Sequence, residues 1–273
     1  MRVIAAICLL LSAQTAAAHS LVENPLSQRL PLLLSALFLG AAWVLYGLGA
    51  RRVRPHGLEA LWLHLAMLIA VLAVFGPLDD WAETSTSWHM LQHMLFILVI
   101  APLWALARPL PQWRAVCGPL LQPLWRGVLR IGRYPVALAM LHGALIWIWH
   151  TPSLYILALE NLWWHMLEHA SFLFSAWLFW WACLRAPPRQ VPQALLAILL
   201  TLMHTGLLGA LLTFGNSSFY GAERDLADQQ LAGLLMWVPG GLVYLAAAAW
   251  ITWRWLARSG RHQQGAQAPS DSV

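Results

Sequence analysis

Trp88-His89-Met90-Leu91-Gln92-His93-Met94 sets two imidazoles four residues apart at the head of a run that stays uncharged to Ala107. At 3.6 residues per turn both rings stand on one face of a helix, about one turn apart. The chain repeats the phrase as Trp164-His165-Met166-Leu167-Glu168-His169, again leading into an apolar run. Stretches of this length and apolarity are solvated by lipid rather than by water. The fold that takes in both phrases is therefore expected to be a bundle of membrane helices.

Composition agrees. The 273 residues are 60% hydrophobic and 10% charged, whereas a soluble domain carries about 25% charged residues. The chain reads as an all-α, polytopic membrane bundle. Apolar runs long enough to cross a bilayer fall at about 30–50, 58–76, 88–107, 134–150, 162–184, 191–214 and 231–256. That makes seven transmembrane helices. The fourth is short, and an extension back into the arginine-bearing segment before it is one way to lengthen it. Residues 1–18 combine Arg2, the apolar run Val3 to Leu11 and Ala16-Ala17-Ala18, the pattern of a cleaved signal peptide. Three parts follow: a signal peptide at 1–18, a seven-helix transmembrane domain at 19–256, and a disordered cytoplasmic tail at 257–273 rich in Gln, Ser and Gly.

The chain has no lysine, so its net charge of +5 is a matter of where the arginines sit. With the mature N-terminus outside, Arg51, Arg52, Arg54, Arg108, Arg114, Arg126, Arg130, Arg133, Arg185, Arg189, Arg254, Arg258 and Arg261 all fall on the inner side, as retained loops require. Asp79, Asp80, Glu83, Glu160, Glu223, Asp225 and Asp228 fall on outer loops. The basic balance is thus a topology signal, and it does not point to nucleic acid. The connection from Arg108 to Arg133, with its prolines, Trp113 and Trp125, is expected to lie along the inner membrane surface.

On this topology the histidines gather. His89, His93, His165 and His169 open the third and fifth spans at their outer ends, His150 closes the fourth at the outer rim, and His142 and His204 lie deeper, roughly 12–15 Å in. Polar groups at such depth face the bundle interior and find partners there. For a single residue such as His64 an interhelical hydrogen bond suffices. Two His pairs aimed inward suggest a metal instead. Met90, Met94, Met166 and Met203 each adjoin one of these histidines and Met236 lies in the outer part of the last span. Thioether with imidazole and no thiolate suits copper, as Cu(I), with purely structural histidines and a haem as the alternatives. Adjacent residues point about 100° apart on a helix, however, so a His and its neighbouring Met cannot both face one ion. Glu168 reads equally as a ligand, as a partner orienting an imidazole, or as a proton acceptor. Asp79, Asp80 and Asp228 are candidates for gathering cations at the mouth. The three cysteines, Cys8, Cys117 and Cys183, offer no C-x-x-C. With no nucleophile–base pair, nucleotide loop or H-E-x-x-H, the chain does not read as an enzyme.

Gly76-Pro77-Leu78-Asp79, His89 to Met94, Ala101-Pro102, Arg108-Pro109, His150-Thr151-Pro152-Ser153-Leu154-Tyr155, Leu159-Glu160-Asn161, Glu168-His169, Asp228-Gln229-Gln230-Leu231-Ala232-Gly233 and Met236-Trp237-Val238-Pro239-Gly240-Gly241 together resemble the multi-span CtaG family of cytochrome c oxidase assembly proteins. The likeness runs over about residues 30–256. It implies a multi-pass protein of the bacterial inner membrane, N-terminus periplasmic and C-terminus cytoplasmic, with cytochrome c oxidase subunits and the lipid bilayer as partners. It also implies a role in copper supply to the oxidase. An unrelated single-span copper chaperone that shares the name builds its site from cysteines, and this chain lacks that pattern. The expected site is drawn from the His, Met and Glu placement alone: an outer station on His89, His93, His165 and His169, and a deeper one on His142 and His204.

Overall fold

Proline and glycine set where the helices turn. The computed structural model describes residues 26–118, 122–221 and 224–266, and among these there is no strand. Helix α1 (Leu26–Ala50) is followed by α2 (Glu59–Phe75), which stops at Gly76 in extended backbone. A Cβ on Gly76 would run into the Leu72 carbonyl oxygen, so only glycine fits this exit. Pro77 then starts α3 (Pro77–Thr84), bent from α2 by 47°.

Helix α4 (Thr86–Met94) carries the first His pair and runs without a break into a π-helical turn at Leu95–Ile100 and then α5 (Ala101–Ala107). The Ala101 N–H reaches back five residues to Phe96. Pro102 has no N–H to make the next such bond, to Ile97, and the Trp180 indole donates to the Ile97 carbonyl instead at 2.7 Å. Widened turns of this kind mark functional sites more often than chance. Arg108, in left-handed backbone with φ 50, turns the chain into α6 (Leu110–Cys117). That helix is tied to α1 by Trp113 Nε1 donating to the Ala42 carbonyl at 2.9 Å. Helices α7 (Gln122–Ile131) and α8 (Pro135–Trp149) meet at 98°. The expected extension of the fourth span back into the arginine segment is thereby corrected: Pro135 starts a new helix in a new direction.

Helix α9 (Pro152–Glu160) leads to α10 (Leu162–Leu184), which carries the second His pair and packs against α5, α8 and α9. A 3₁₀ turn at Pro188–Gln190 opens α11 (Val191–Thr213), and α12 (Leu226–Ala266) closes the described chain. The last two helices cross at backbone contact, since a Cβ on Gly209 would lie 2.9 Å from the Gly233 carbonyl oxygen. Helix α12 continues past 256 to Ala266, which moves the start of any disordered tail at least ten residues later than the expected 257. The signal peptide expected at 1–18, and residues 267–273, lie outside the described residues.

Among the described residues, four helices are long and apolar enough to cross a membrane, or six if each bent pair is one span. Helix α10 is the expected span that this measure leaves out. Its tryptophans, histidines and Glu168 lower its mean hydropathy, yet His165, Glu168 and His169 are buried and face protein. The chain is an all-helical, multi-pass membrane protein.

Candidate metal centre

Two capped helix starts place the imidazoles. Asn161 Oδ1 accepts from Trp163 N at 2.9 Å and fixes the first turn of α10. Ser85 does the same for Trp88 N at the head of α4. Asp228, from the first turn of α12, adds its carboxylate to the same end, accepting from Thr86 N at 2.6 Å and from the Ser85 hydroxyl at 3.0 Å. Asp228 is therefore a helix cap that pins α12 to α4, which is a different task from gathering cations.

The two phrases then meet ring for ring. His89 stacks over His165 with centroids 5.4 Å apart, and His93 lies 5.6 Å from His169. Within each helix the rings stand 4.2 Å and 4.1 Å apart. Glu168 reaches between them, its Oε2 lying 3.6 Å from His89 Nε2 and 3.5 Å from His93 Nε2. His89, His165 and Glu168 each bring a donor atom within 4.8 Å of the other two. Phe172 packs on His93 and Phe96 on His169, which closes the inner side with apolar rings.

Both nitrogens of His89 and His93, Nε2 of His165 and His169, and both oxygens of Glu168 are buried without a hydrogen-bond partner. Unpaired groups of this kind cost about 1–3 kcal/mol each in a protein interior, so a shared partner would stabilise a cluster of them. A metal ion could fill that role. Donor atoms around a tetrahedral ion with bonds of about 2.0–2.1 Å stand roughly 3.3–3.4 Å apart, close to the spacing of Glu168 from the two imidazoles. A carboxylate among neutral imidazoles also supplies the negative charge that a buried cation requires.

His150 joins this group more closely than an outer rim would suggest. Its Nδ1 donates to the Ile146 carbonyl at 2.7 Å, because a carbonyl can only accept, and this leaves the Nε2 lone pair bare with the ring 6.3 Å from His93. His142 and His204 form a separate pair on α8 and α11. The Ser175 hydroxyl gives its hydrogen to the Ser171 carbonyl at 2.6 Å, so His142 Nδ1 is the donor in its 2.8 Å contact with Ser175 and Nε2 is bare. The His204 ring rests on Gly143, where a Cβ would lie 2.5 Å from its Nε2. His64 accepts from Trp43 Nε1 at 2.8 Å, the interhelical bond expected of a lone histidine.

Two of the methionines, Met94 and Met203, face elsewhere. Met94 Sδ stands 3.8 Å from where a Gly240 Cβ would be, on the α12 side of α4. Met90 and Met236 are buried in the apolar core, and Met166 is half-buried. Met203 is 62% exposed on the outer face of α11. The rotation between adjacent helix positions accounts for this. Asp79 accepts from Gln92 Nε2 at 2.7 Å, and Asp80 is exposed.

Residues that no spacing rule singled out cover the cluster. Tyr155 packs on His89 at 5.2 Å and stacks on Tyr220 at 3.7 Å, with the Arg224 guanidinium 5.9 Å above the Tyr155 ring. Burial pushes the Tyr155 phenol up to about 12 and raises Tyr220 as well, so both stay protonated and can donate. The segment that brings Tyr220 here is held by Gln229, whose Oε1 accepts from Phe219 N at 2.7 Å, and by Gln230, whose Nε2 donates to the Gly215 carbonyl at 3.2 Å. Asp228-Gln229-Gln230 thus builds the cover over the cluster.

No curated protein and no solved structure matched the chain significantly. The family model described as cytochrome c oxidase caa3 assembly factor matches residues 44–258, which takes in α2 to α11, all but the end of α12, the four paired histidines, Glu168 and the tyrosine cover. The chain belongs to the family of cytochrome c oxidase caa3 assembly factors.

Proposed function

We propose that this assembly factor holds a copper ion on the outer cluster and delivers it to an oxidase subunit in the membrane. The observation that carries the reading is the convergence of four imidazoles and Glu168 with their donor atoms buried and unpaired. His89, His93, His165 and Glu168 would bind the ion, with His169 and His150 beside it to exchange as ligands. Imidazole and carboxylate accept copper, and several similar sites in reach of one another suit an ion that must leave again. Met94 and Met203 are turned away, so neither of them supplies a preference for Cu(I) over Cu(II). His142 and His204 are the second station of this reading. Copper bound to them would use the bare His142 Nε2.

We further infer seven spans, counting α10 as the one whose polar groups point inward, with the His cluster at the periplasmic end and the arginine-lined end in the cytoplasm of a bacterial inner membrane. The aromatic packing around the rings, Phe172 on His93 and Phe96 on His169, favours a bare ion over a haem between these two histidines. Metal analysis with an optical spectrum on purified, copper-loaded protein separates the readings. The proposal expects about one copper per chain and no Soret band. A Soret band would establish a haem carrier, and neither signal with oxidase subunits still co-purifying would establish a metal-free scaffold.

A further inference from the structure

The far end of the bundle carries a second built site. Arg185 follows the last residue of α10, twenty positions beyond His165, so it lies roughly 30 Å along the helix from the His cluster. There Arg108, Arg185, Arg254 and Arg258 line one cavity of about 170 Å³, walled by Trp250, Ile251 and Trp255.

Four guanidinium groups share this cavity with little to neutralise them. Glu59 stands 3.5 Å from Arg108 Nε. Arg185 and Arg254 lean on rings instead, 4.4 Å over Trp181 and 4.9 Å over Trp250. Arg185 Nη1 is buried without a hydrogen-bond partner. Burial and then the Arg108 charge bring the Arg185 guanidinium down to about 10, which measures how poorly its cation is compensated. The N-terminal end of α11 opens on the same space through Pro188 and Val191, with no side chain capping it. The positive end of a long helix and a set of planar donors both favour an anion.

We propose that this cavity binds a phosphate group, the guanidinium of Arg185 and those of Arg108, Arg254 and Arg258 serving as its donors. Two sources share that chemistry: the headgroup of an anionic phospholipid, whose acyl chains would lie along Trp250 and Trp255, and a soluble phosphate. The cavity is independent of the metal reading, since Arg185 and the paired histidines stand at opposite ends of α10.

The test uses the full chain in nanodiscs of phosphatidylcholine alone or with phosphatidylglycerol, and in detergent with or without inorganic phosphate. Thermal unfolding and lipid retention by native mass spectrometry are the readouts. Retention of phosphatidylglycerol with a raised melting temperature, lost about ten- to hundredfold in Arg185→Gln/Arg254→Gln, supports the site with a lipid source. Stabilisation by inorganic phosphate without lipid retention supports it with a soluble source. Arg258→Gln, exposed at the rim, keeps the fold and should weaken either effect partially. Equal behaviour of wild type and both variants, or no response to either probe, overturns the proposal. Copper content should be unchanged in these variants.

Discussion

Gln92 and Glu168 fill the same place in two copies of one phrase, and they do opposite work. Gln92 turns away from the histidines of its own helix, and its amide donates to the Ala73 carbonyl and to Asp79, both at 2.7 Å. Glu168 turns towards the histidines of the other helix, with its oxygens unpaired between His89 and His93. A buried amide with two acceptors holds α2, α3 and α4 together. A buried carboxylate set 3.6 Å and 3.5 Å from two imidazole nitrogens could share a cation with them. The identity at one position, read with its neighbours, separates the copy that ties helices together from the copy proposed to bind.

Exchanging the two side chains breaks the comparison most severely. Gln92→Glu removes the donor to Ala73 and sets a carboxylate against Asp79, so the fold should lose about 3 kcal/mol, read as a lowered melting temperature. Glu168→Gln should change the melting temperature less than Gln92→Glu does, because the amide can still meet His89 and His93. In the same variant copper affinity should fall about ten- to hundredfold in a competition titration. An affinity equal to wild type would show that the carboxylate takes no part. A smaller effect comes from Asp228→Ala, which uncaps α4: about 1 kcal/mol of stability, with copper binding following the fold and not the charge at the mouth. Smallest is Met203→Leu, on the outer face of α11, expected to change copper content by nothing measurable. Loss of copper there would bring the thioethers back into the site.

The helices were legible because lipid leaves little choice: apolar runs at 30–50, 58–76, 191–214 and 231–256 became α1, α2, α11 and the core of α12 within a few residues. The gathering of His89, His93, His165 and His169 was legible from the shared four-residue step and the shared direction of entry, while the ring-to-ring pairing came from the structure. Three features were not. The 98° break before Pro135 is a tertiary choice that an apolar count cannot see. Met94 looked like a ligand by adjacency, and its sulfur lies on the α12 side of α4. Tyr155 and Tyr220, which cover His89, are far apart in the chain and meet because Gln229 and Gln230 fold one segment over the other. Local periodicity carries no information about such a contact.

Copper content of wild type and His93→Ala/His169→Ala, purified in parallel after copper loading, tests the central claim most directly. Each change removes one ring from α4 or α10 while Phe96 and Phe172 keep the packing around them, so the double variant should remain a folded, monodisperse bundle. The account predicts about one copper per chain in wild type and copper at background in the double variant. A folded double variant with the wild-type copper content would contradict it.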